Sequence, residues 1–507
     1  MKYQNLFTTF LYALSLLSFS GCTMLGPDFE TPAGKTPAAW SEGGNEIFQK
    51  ATEAETIDWW STFNDPTLDQ LIDLFAKQNL TLQSAAVRII GARAQLALVQ
   101  GFLYPQSQTM DGDLFTIGDE NTSNTIDRYY NAASIGFDVG WEMDFWGKYR
   151  RSIESADANL LATIASYEDV LVSLTAETAR TYVTIRTLQE RISLGLNNAE
   201  LQQDSLNLVQ LQFDAGVVTE LDVLQAQTLL SATQAAIPNL EASLANAKNA
   251  LAVLVGMLPD EIEGLLATES PIPEISSQVN VALPAELLRR RPDVRRSEMQ
   301  AAAQSAQIGI AKSELYPSFS LLGSIGWSAT DIADGSLGDI FESNAFSYSF
   351  GPTFRWNIFN YGRLKNEVRV QDARYQETIL NYQNTVLNAA REAEDAMKNL
   401  VQSYKEAEYL ETGVYSSERS TELSTLQYEE GLIDYQRVLD SIRSLTTRQD
   451  QYAQVRGKIA TNVIALYKAF GGGWEIDYDY DPLLPDIMIR EMEERTDWDG
   501  FLIQSED

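Results

Sequence analysis

The chain of 507 residues carries 71 acidic against 37 basic side chains, no histidine and one cysteine, for a formal charge of −34. That balance disfavours nucleic acid and anionic surfaces as partners and favours solubility. Without histidine, and with a single cysteine, the usual zinc site and a cysteine–histidine nucleophile cannot be built. The sequence also has no Gly-rich phosphate loop followed by Lys and Ser or Thr, so neither catalysis nor a cofactor is expected.

Lys2 supplies a positive start, Leu6 to Phe19 is largely apolar, and Phe19-Ser20-Gly21-Cys22 closes the segment with small residues. The run is too short to span a bilayer and reads as a signal peptide over residues 1–21. Small residues directly before a cysteine resemble a bacterial lipobox, which makes Cys22 the acylated first residue of the mature chain. Several acyl chains on one cysteine anchor stably, since each buried methylene contributes roughly 0.8 kcal/mol. Thr23 rather than Asp after the cysteine resembles outer-membrane sorting. Nothing else offers an apolar run long enough for a membrane helix. Residues 22–58, rich in Pro, Gly, Thr and Glu without a period, read as an extended, lipid-anchored, surface-hugging arm.

Trp59-Trp60 and Phe63 begin the ordered body, and Asp65-Pro66 reads as a helix N-cap followed by proline at the first helical position. Leu68, Leu71, Ile72 and Phe75 recur at helical spacing. A second helix, from about Leu82 to Gly101, ends at Leu103-Tyr104-Pro105, because proline disfavours helix in the residue before it. Strands follow near 106–116 and 133–144. A proline-free helix from Gly147 to Phe213 could then reach roughly 100 Å at about 1.5 Å per residue. Its mate runs from about Leu221 to Met257 and stops at Pro259.

After a linker over 261–282 the same order returns. An alanine-rich helix over Pro292 to Lys312 leads to Leu315-Tyr316-Pro317, strands near 318–328 and 346–358, and helices from Gly362 to Gln427 and Tyr435 to Phe470. Ala94-Gln95 falls on Ala306-Gln307, and Trp141-Glu142-Met143-Asp144-Phe145-Trp146-Gly147-Lys148 falls on Trp356-Asn357-Ile358-Phe359-Asn360-Tyr361-Gly362-Arg363. The spacing stays near 212 to 215 throughout. The chain is an internal duplication, residues 59–260 and 283–473, with an acidic, mostly irregular tail over 474–507. Helices this long need partners along their length, which implies coiled-coil packing.

Within the strands, Phe319, Leu321, Ile325 and Trp327 alternate with Ser318, Ser320, Ser324 and Ser328. Phe346, Tyr348, Phe350, Pro352, Phe354, Trp356 and Ile358 alternate with Ser347, Ser349, Gly351, Thr353, Arg355 and Asn357. Ile135 to Met143 repeats the pattern, with Asp138, Glu142 and Asp144 on the wet side. Segments of about ten residues, apolar on one face with aromatics at the ends, suit a barrel with lipid outside and water inside. Four strands cannot close a barrel, since the smallest have about eight. Open edges are not viable in lipid. Several chains must therefore share one barrel, and three copies giving twelve strands is the natural count.

Each long hairpin turns at a lone glycine followed by two aliphatic residues. The first copy is Gly216-Val217-Val218-Thr219, the second Gly431-Leu432-Ile433-Asp434. Glycine suits the left-handed position past a helix end, and Thr219 or Asp434 can cap the next helix by accepting from its free donors.

Further phrases belong with these features. They are Cys22 with Gly26-Pro27-Asp28-Phe29, Trp60-Ser61-Thr62-Phe63 with Asp65-Pro66, Asn79-Leu80, Tyr104-Pro105, Arg290-Arg291-Pro292-Asp293-Val294, Tyr316-Pro317 and Val438-Leu439-Asp440. Together with Gly216 and Gly431, they make the chain from residue 22 to about 474 resemble the TolC/OprM family of outer-membrane efflux channels, in its lipidated multidrug-efflux branch. The resemblance implies a mixed α and β membrane protein of a Gram-negative outer membrane. It implies a homotrimer whose twelve-stranded barrel is continued by a twelve-helix periplasmic tunnel. It also implies a periplasmic adaptor (membrane-fusion) protein docked on the hairpin tips, and an RND-type inner-membrane pump that supplies the energy.

By position, Gly216, Val217, Val218, Gly431, Leu432 and Ile433 would form the adaptor-facing tips. Asp440 falls where the family places a pore-constricting aspartate, and Asp222 and Arg437 fall where polar links hold the entrance closed. Arg437 takes a position that is acidic in some relatives, which weakens the expected charge ring. Three copies of Asp440 around a narrow axis would repel one another and attract cations. The implied function is a passive exit duct for small molecules such as drugs and toxic compounds, with outer-membrane lipid as surroundings and no nucleic-acid partner. A duct for type I protein secretion uses the same architecture. A trimeric structural coiled coil of the cell surface would explain the helices but not the amphipathic strands.

Overall fold

The computed structural model describes residues 24–50, 58–118, 129–267, 270–274, 279–281, 290–332, 335–473, 484–498 and 502. The signal segment and Cys22 lie outside the described residues. Two compact units divide the chain: Met1–Ala33, Ile89–Thr163 and Arg296–Tyr382 form one, and Gly34–Arg88, Ile164–Arg295 and Gln383–Asp507 form the other.

The duplication is visible in the lengths of the elements. Helix α1 (Pro66–Gln78) precedes α2 (Leu80–Gly101), whose counterpart is α6 (Pro292–Ser313), each of 22 residues. Helices α3 (Lys148–Asp214) and α7 (Arg363–Glu429) each have 67 residues. Helices α4 (Glu220–Leu254) and α8 (Tyr435–Ala469) each have 35. The short helices α5 (Pro259–Leu265) and α9 (Asp486–Arg495) have no such counterpart among the described residues.

In the first unit, β2 (Ser107–Gly118), β3 (Tyr129–Met143), β5 (Ser318–Thr330) and β6 (Phe346–Arg355) make one antiparallel sheet in the order β2-β3-β5-β6. Directly opposed residues share a face of such a sheet. The rows Met110–Phe137–Ile325–Tyr348 and Trp141–Leu321–Pro352 therefore lie on one face, and Thr109–Asp138–Ser324–Ser349 and Glu142–Ser320–Thr353 on the other. Aromatics gather at both ends of the apolar face: Trp327 against Phe346 at 5.4 Å at one, Phe145 against Phe319 at 5.6 Å at the other.

The strand–helix junctions at the latter end repeat as well. Trp141 Nε1 donates to the Leu103 carbonyl and Trp356 Nε1 to the equivalent Leu315 carbonyl, each at 3.1 Å. An indole at a wet boundary needs such an acceptor for its one donor. The last strand stops at Arg355, short of the expected 358, and beyond it Ile358 is exposed and Phe359 and Tyr361 are fully so.

In the second unit, a 3₁₀ turn at Trp59–Phe63 and the apolar face of α1 enter the main core, where Trp59 stacks on Tyr467 at 5.6 Å. Asp65 accepts from the Thr67 and Leu68 amides, as an N-cap with proline after it should, and its other oxygen receives the Tyr182 hydroxyl at 2.6 Å. Arg291 donates to the Ala469 carbonyl at the end of α8 and pairs with Asp293 and Glu392, closing a helix C-terminus with a cation.

The arm, the linker and the tail each carry an ordered segment, and one sequence expectation, at Asp144, needs correction. Within the arm and the linker, β1 (Phe48–Lys50) pairs in parallel with β4 (Val279–Val281), and Trp40 is buried against Phe470. The tail contains α9, with Leu484, Met492 and Leu502 buried. Asp144 does not solvate a wet wall. Its side chain is 11% exposed and accepts from the Tyr149 and Arg150 amides, capping α3, while pairing with Arg150 at 2.8 Å.

Candidate functional site: the hairpin tips

Both hairpins turn by the same hydrogen bonds. Gly216 (φ +76°) donates to Phe213 and Val217 to Gln212, while Gly431 (φ +70°) donates to Tyr428 and Leu432 to Gln427. These are the paired bonds of a Schellman turn, which satisfies the last carbonyls of a helix and needs a left-handed residue. The residues after the glycines divide by burial. Val217 and Leu432 are 71% and 72% exposed. Val218 and Ile433 instead pack on a cluster drawn from both hairpins, comprising Leu206, Val209, Ala226, Leu230, Tyr428, Tyr435, Val438, Leu439 and Ile442. Of the six residues expected at the tips, Val217 and Leu432 present side chains outward.

The caps behind the tips differ. Asp434 accepts from the Arg437 amide at 3.3 Å, as expected. Thr219 does the reverse of what was expected: its hydroxyl and its amide both donate to Asp222, at 2.7 and 3.0 Å. Asp222 and Arg437 stand at equivalent positions of the two repeats. Asp222 is engaged in its own helix start and Arg437 is exposed, and among the described residues no hydrogen bond or ion pair joins them within the chain.

Asp440 is exposed and accepts from Gln436 at 3.0 Å and from Arg443 at 3.2 Å. Arg443 was missed by the sequence reading, although acid and base three residues apart on a helix is a readable pair. Tyr428 was also missed. Its hydroxyl is buried with no hydrogen-bond partner among the described residues. Burial first, then the charge of Asp222, push it from 10.0 up to about 12.

Above the tips the contact between α3 and α8 turns polar. Asn198 donates to Gln449 at 2.9 Å and accepts from Thr446 at 3.1 Å. Arg191 meets Asp450 at 2.7 Å, and Arg456 meets Glu190 at 2.6 Å. On the sheet, the polar face carries Asp111, Asp113, Asp138 and Glu142 against Arg355, an acidic excess. Asp111 and Asp113 sit in the strand expected near 106–116.

A duplicated chain with a one-faced, aromatic-ended sheet and glycine-turned helical hairpins defines an outer-membrane channel protein. Residues 71–257 and 283–472 match the outer membrane efflux protein family. The chain belongs to that family, whose members are efflux channels rather than enzymes, and it is an exit duct of the outer membrane. It is 30% identical over 468 residues to nodulation protein T of Rhizobium leguminosarum bv. trifolii, covering 92% of this chain and 98% of that one. It is 27% identical over 481 residues to the probable outer membrane lipoprotein SilC of Salmonella typhimurium, covering 92% of this chain and all of that one. Among solved structures, the outer-membrane channel OprN superposes with a TM-score of 0.82 at 32% identity, over 89% of this chain and 99% of that one.

Proposed function

We propose that three copies of this chain share one twelve-stranded barrel, continued by a twelve-helix tunnel, and conduct small molecules out of the cell. The observation that carries this reading is the sheet. Among the described residues it has four strands, an apolar face with aromatics at both ends, and β2 and β6 as unpaired edges. Unpaired backbone groups have no partner in hydrocarbon, so the edges must meet other copies. Acylation of Cys22 holds the arm to the membrane, in keeping with the lipoprotein name of the SilC relative.

The exposed Val217 and Leu432, each on a glycine turn, are the contacts for a periplasmic adaptor, behind which an RND-type inner-membrane pump supplies energy. Asp222 and Arg437, unlinked within one chain, are left for contacts between neighbouring copies that hold the entrance closed. Asp440 rings the axis and favours cations, its charge partly offset by Arg443.

The test is the mass of the detergent-solubilised particle, with single-channel recording on the same preparation. A trimer with cation-selective, mostly closed pores is expected, and Asp440→Asn should lower the cation preference. A monomer without conductance overturns the shared barrel.

A further inference from the structure

Arg151, in the first turn of α3, is a buried charge with a side chain only 2% exposed. Its guanidinium is filled from the N-terminal arm. Nε donates to the Leu25 carbonyl at 3.1 Å, and Nη2 donates to the Gly26 carbonyl at 3.5 Å and to Asp28 at 2.7 Å. Nη1 donates to Glu154 at 2.6 Å. The Leu25 amide in turn donates to the Trp146 carbonyl at 3.1 Å, at the end of the aromatic girdle.

The backbone approach is close enough to exclude side chains. A Cβ on Gly309 would lie 2.5 Å from the Leu25 carbonyl oxygen, one on Gly26 2.5 Å from Gly309 Cα, and one on Gly147 2.9 Å from Met24 Cα. Farther along, Phe29 packs on Ala158, Ala302 and Ala303, and Thr31 donates to Glu298 at 2.6 Å. From Gly26 to Thr31 an extended chain covers about 17 Å. From Gly309 back to Glu298 a helix covers about the same. The arm therefore runs antiparallel to α6, in the groove between α6 and the start of α3.

We infer that this groove, headed by Arg151 and floored by Gly309, is a receptor for residues 24–31 that makes the membrane tether rigid. The inference rests on Cys22 being the lipid-bearing residue. Two peptide units separate Met24 from Cys22, a reach of at most about 7 Å. Seating Met24 against Gly147 and Leu25 on Trp146 thus leaves the tether no slack, and sets the lipid attachment at the level of the aromatics that mark a membrane boundary. A surface arm held by weak contacts would need neither a buried arginine nor glycines at both faces of the crossing. Arg151 is buried at the cost of desolvation and is tolerable only while the arm's carbonyls and carboxylate remain in place.

The experiment is hydrogen exchange of the segment 24–31 in the full-length, detergent-solubilised protein, with palmitate labelling in parallel. Slow exchange is expected in the parent. Arg151→Met should speed it by at least about tenfold, and Asp28→Asn, at a carboxylate that is 94% exposed, by a few fold. Palmitate incorporation should be unchanged in both. Because the receptor is made of protein, Cys22→Ala should lose the label and keep the slow exchange.

Fast exchange in the parent, parental exchange in Arg151→Met, or loss of protection in Cys22→Ala would each overturn the receptor. Should Arg151→Met fail to fold, Asp28→Asn carries the test alone, and parental exchange there overturns it. A parent that takes no palmitate would sink the lipid-anchor reading, and with it the tether, while exchange in the two clamp variants would still report on the groove.

Discussion

Gly147 and Gly362 stand at equivalent places in the two repeats, with φ of +77° and +80°, each just ahead of a 67-residue helix. Around them the side chains diverge. The first junction holds Met24 and Arg151, whereas the position equivalent to Arg151 is Asn366 and that equivalent to Gly309 is Ala97. The second junction leaves Phe359 and Tyr361 fully exposed. The tips show the same divergence. Both use a left-handed glycine, but the capping carboxylate sits three residues into α4, on Asp222, in one and at the N-cap position, on Asp434, in the other. Duplication has kept what the backbone demands and released what a local partner demands. A left-handed turn has few solutions, while a capping oxygen can arrive from either end of the first turn.

The largest effect that would sharpen this comparison is at Gly309. Gly309→Ala places a methyl against the Leu25 carbonyl and the Arg151 stem, both closer than 3.0 Å. It should destabilise the folded protein by about 1–3 kcal/mol. Asn366→Arg, which copies the arginine into the repeat without an arm, should stay within about 0.5 kcal/mol. Apparent melting temperatures of the two variants in detergent make the measurement. Equal effects would mean that the junctions do not differ in the way the side chains indicate.

The tip glycines come next. Nothing lies within 4 Å of a Cβ added at Gly216 or at Gly431. Only backbone strain then opposes an alanine, about 1–2 kcal/mol at each. Amide exchange of the segments around 213–218 and 428–433 should rise by similar factors in Gly216→Ala and Gly431→Ala. A change confined to one tip would show that something besides the turn differs between them.

Much of this was legible in the sequence because it is local. The Schellman glycines, the Asp65-Pro66 start of α1 and the period of two in the strands each depend on neighbours within a few residues. The 212-to-215 offset made each reading twice as secure, and the faces of β5 and β6 follow from it.

What was missed is mostly non-local or ambiguous in direction. The pairing of Phe48–Lys50 with Val279–Val281 joins two three-residue segments far apart in the chain, too short to carry a period. Thr219 can donate as well as accept, so its type alone does not say which way the cap runs. Asp144 reads as a strand residue until the strand is seen to stop at Met143, where it becomes a helix cap. The aliphatic pairs after the glycines look alike in sequence. Only packing against the other hairpin separates Val218 and Ile433 from Val217 and Leu432.

The smallest expected effect at neutral pH is at Tyr428, whose counterpart in the first repeat is Phe213. Tyr428→Phe removes a buried hydroxyl that has no partner among the described residues, so stability at pH 7 should be unchanged or slightly raised. The difference should open in alkali. In the fold the phenol stays neutral up to about 12, held there by burial and by the negative charge of Asp222, against 10.0 for a free side chain. A raised folded value means that the contribution is complete below pH 10, where both states are protonated. It is lost as pH rises from 10 through 12, because the unfolded chain ionises first. Melting temperature followed from pH 8 to 12 should therefore fall more steeply in the parent than in Tyr428→Phe. Parallel curves would mean that water reaches the hydroxyl, and that the two tips are closer in character than their side chains suggest.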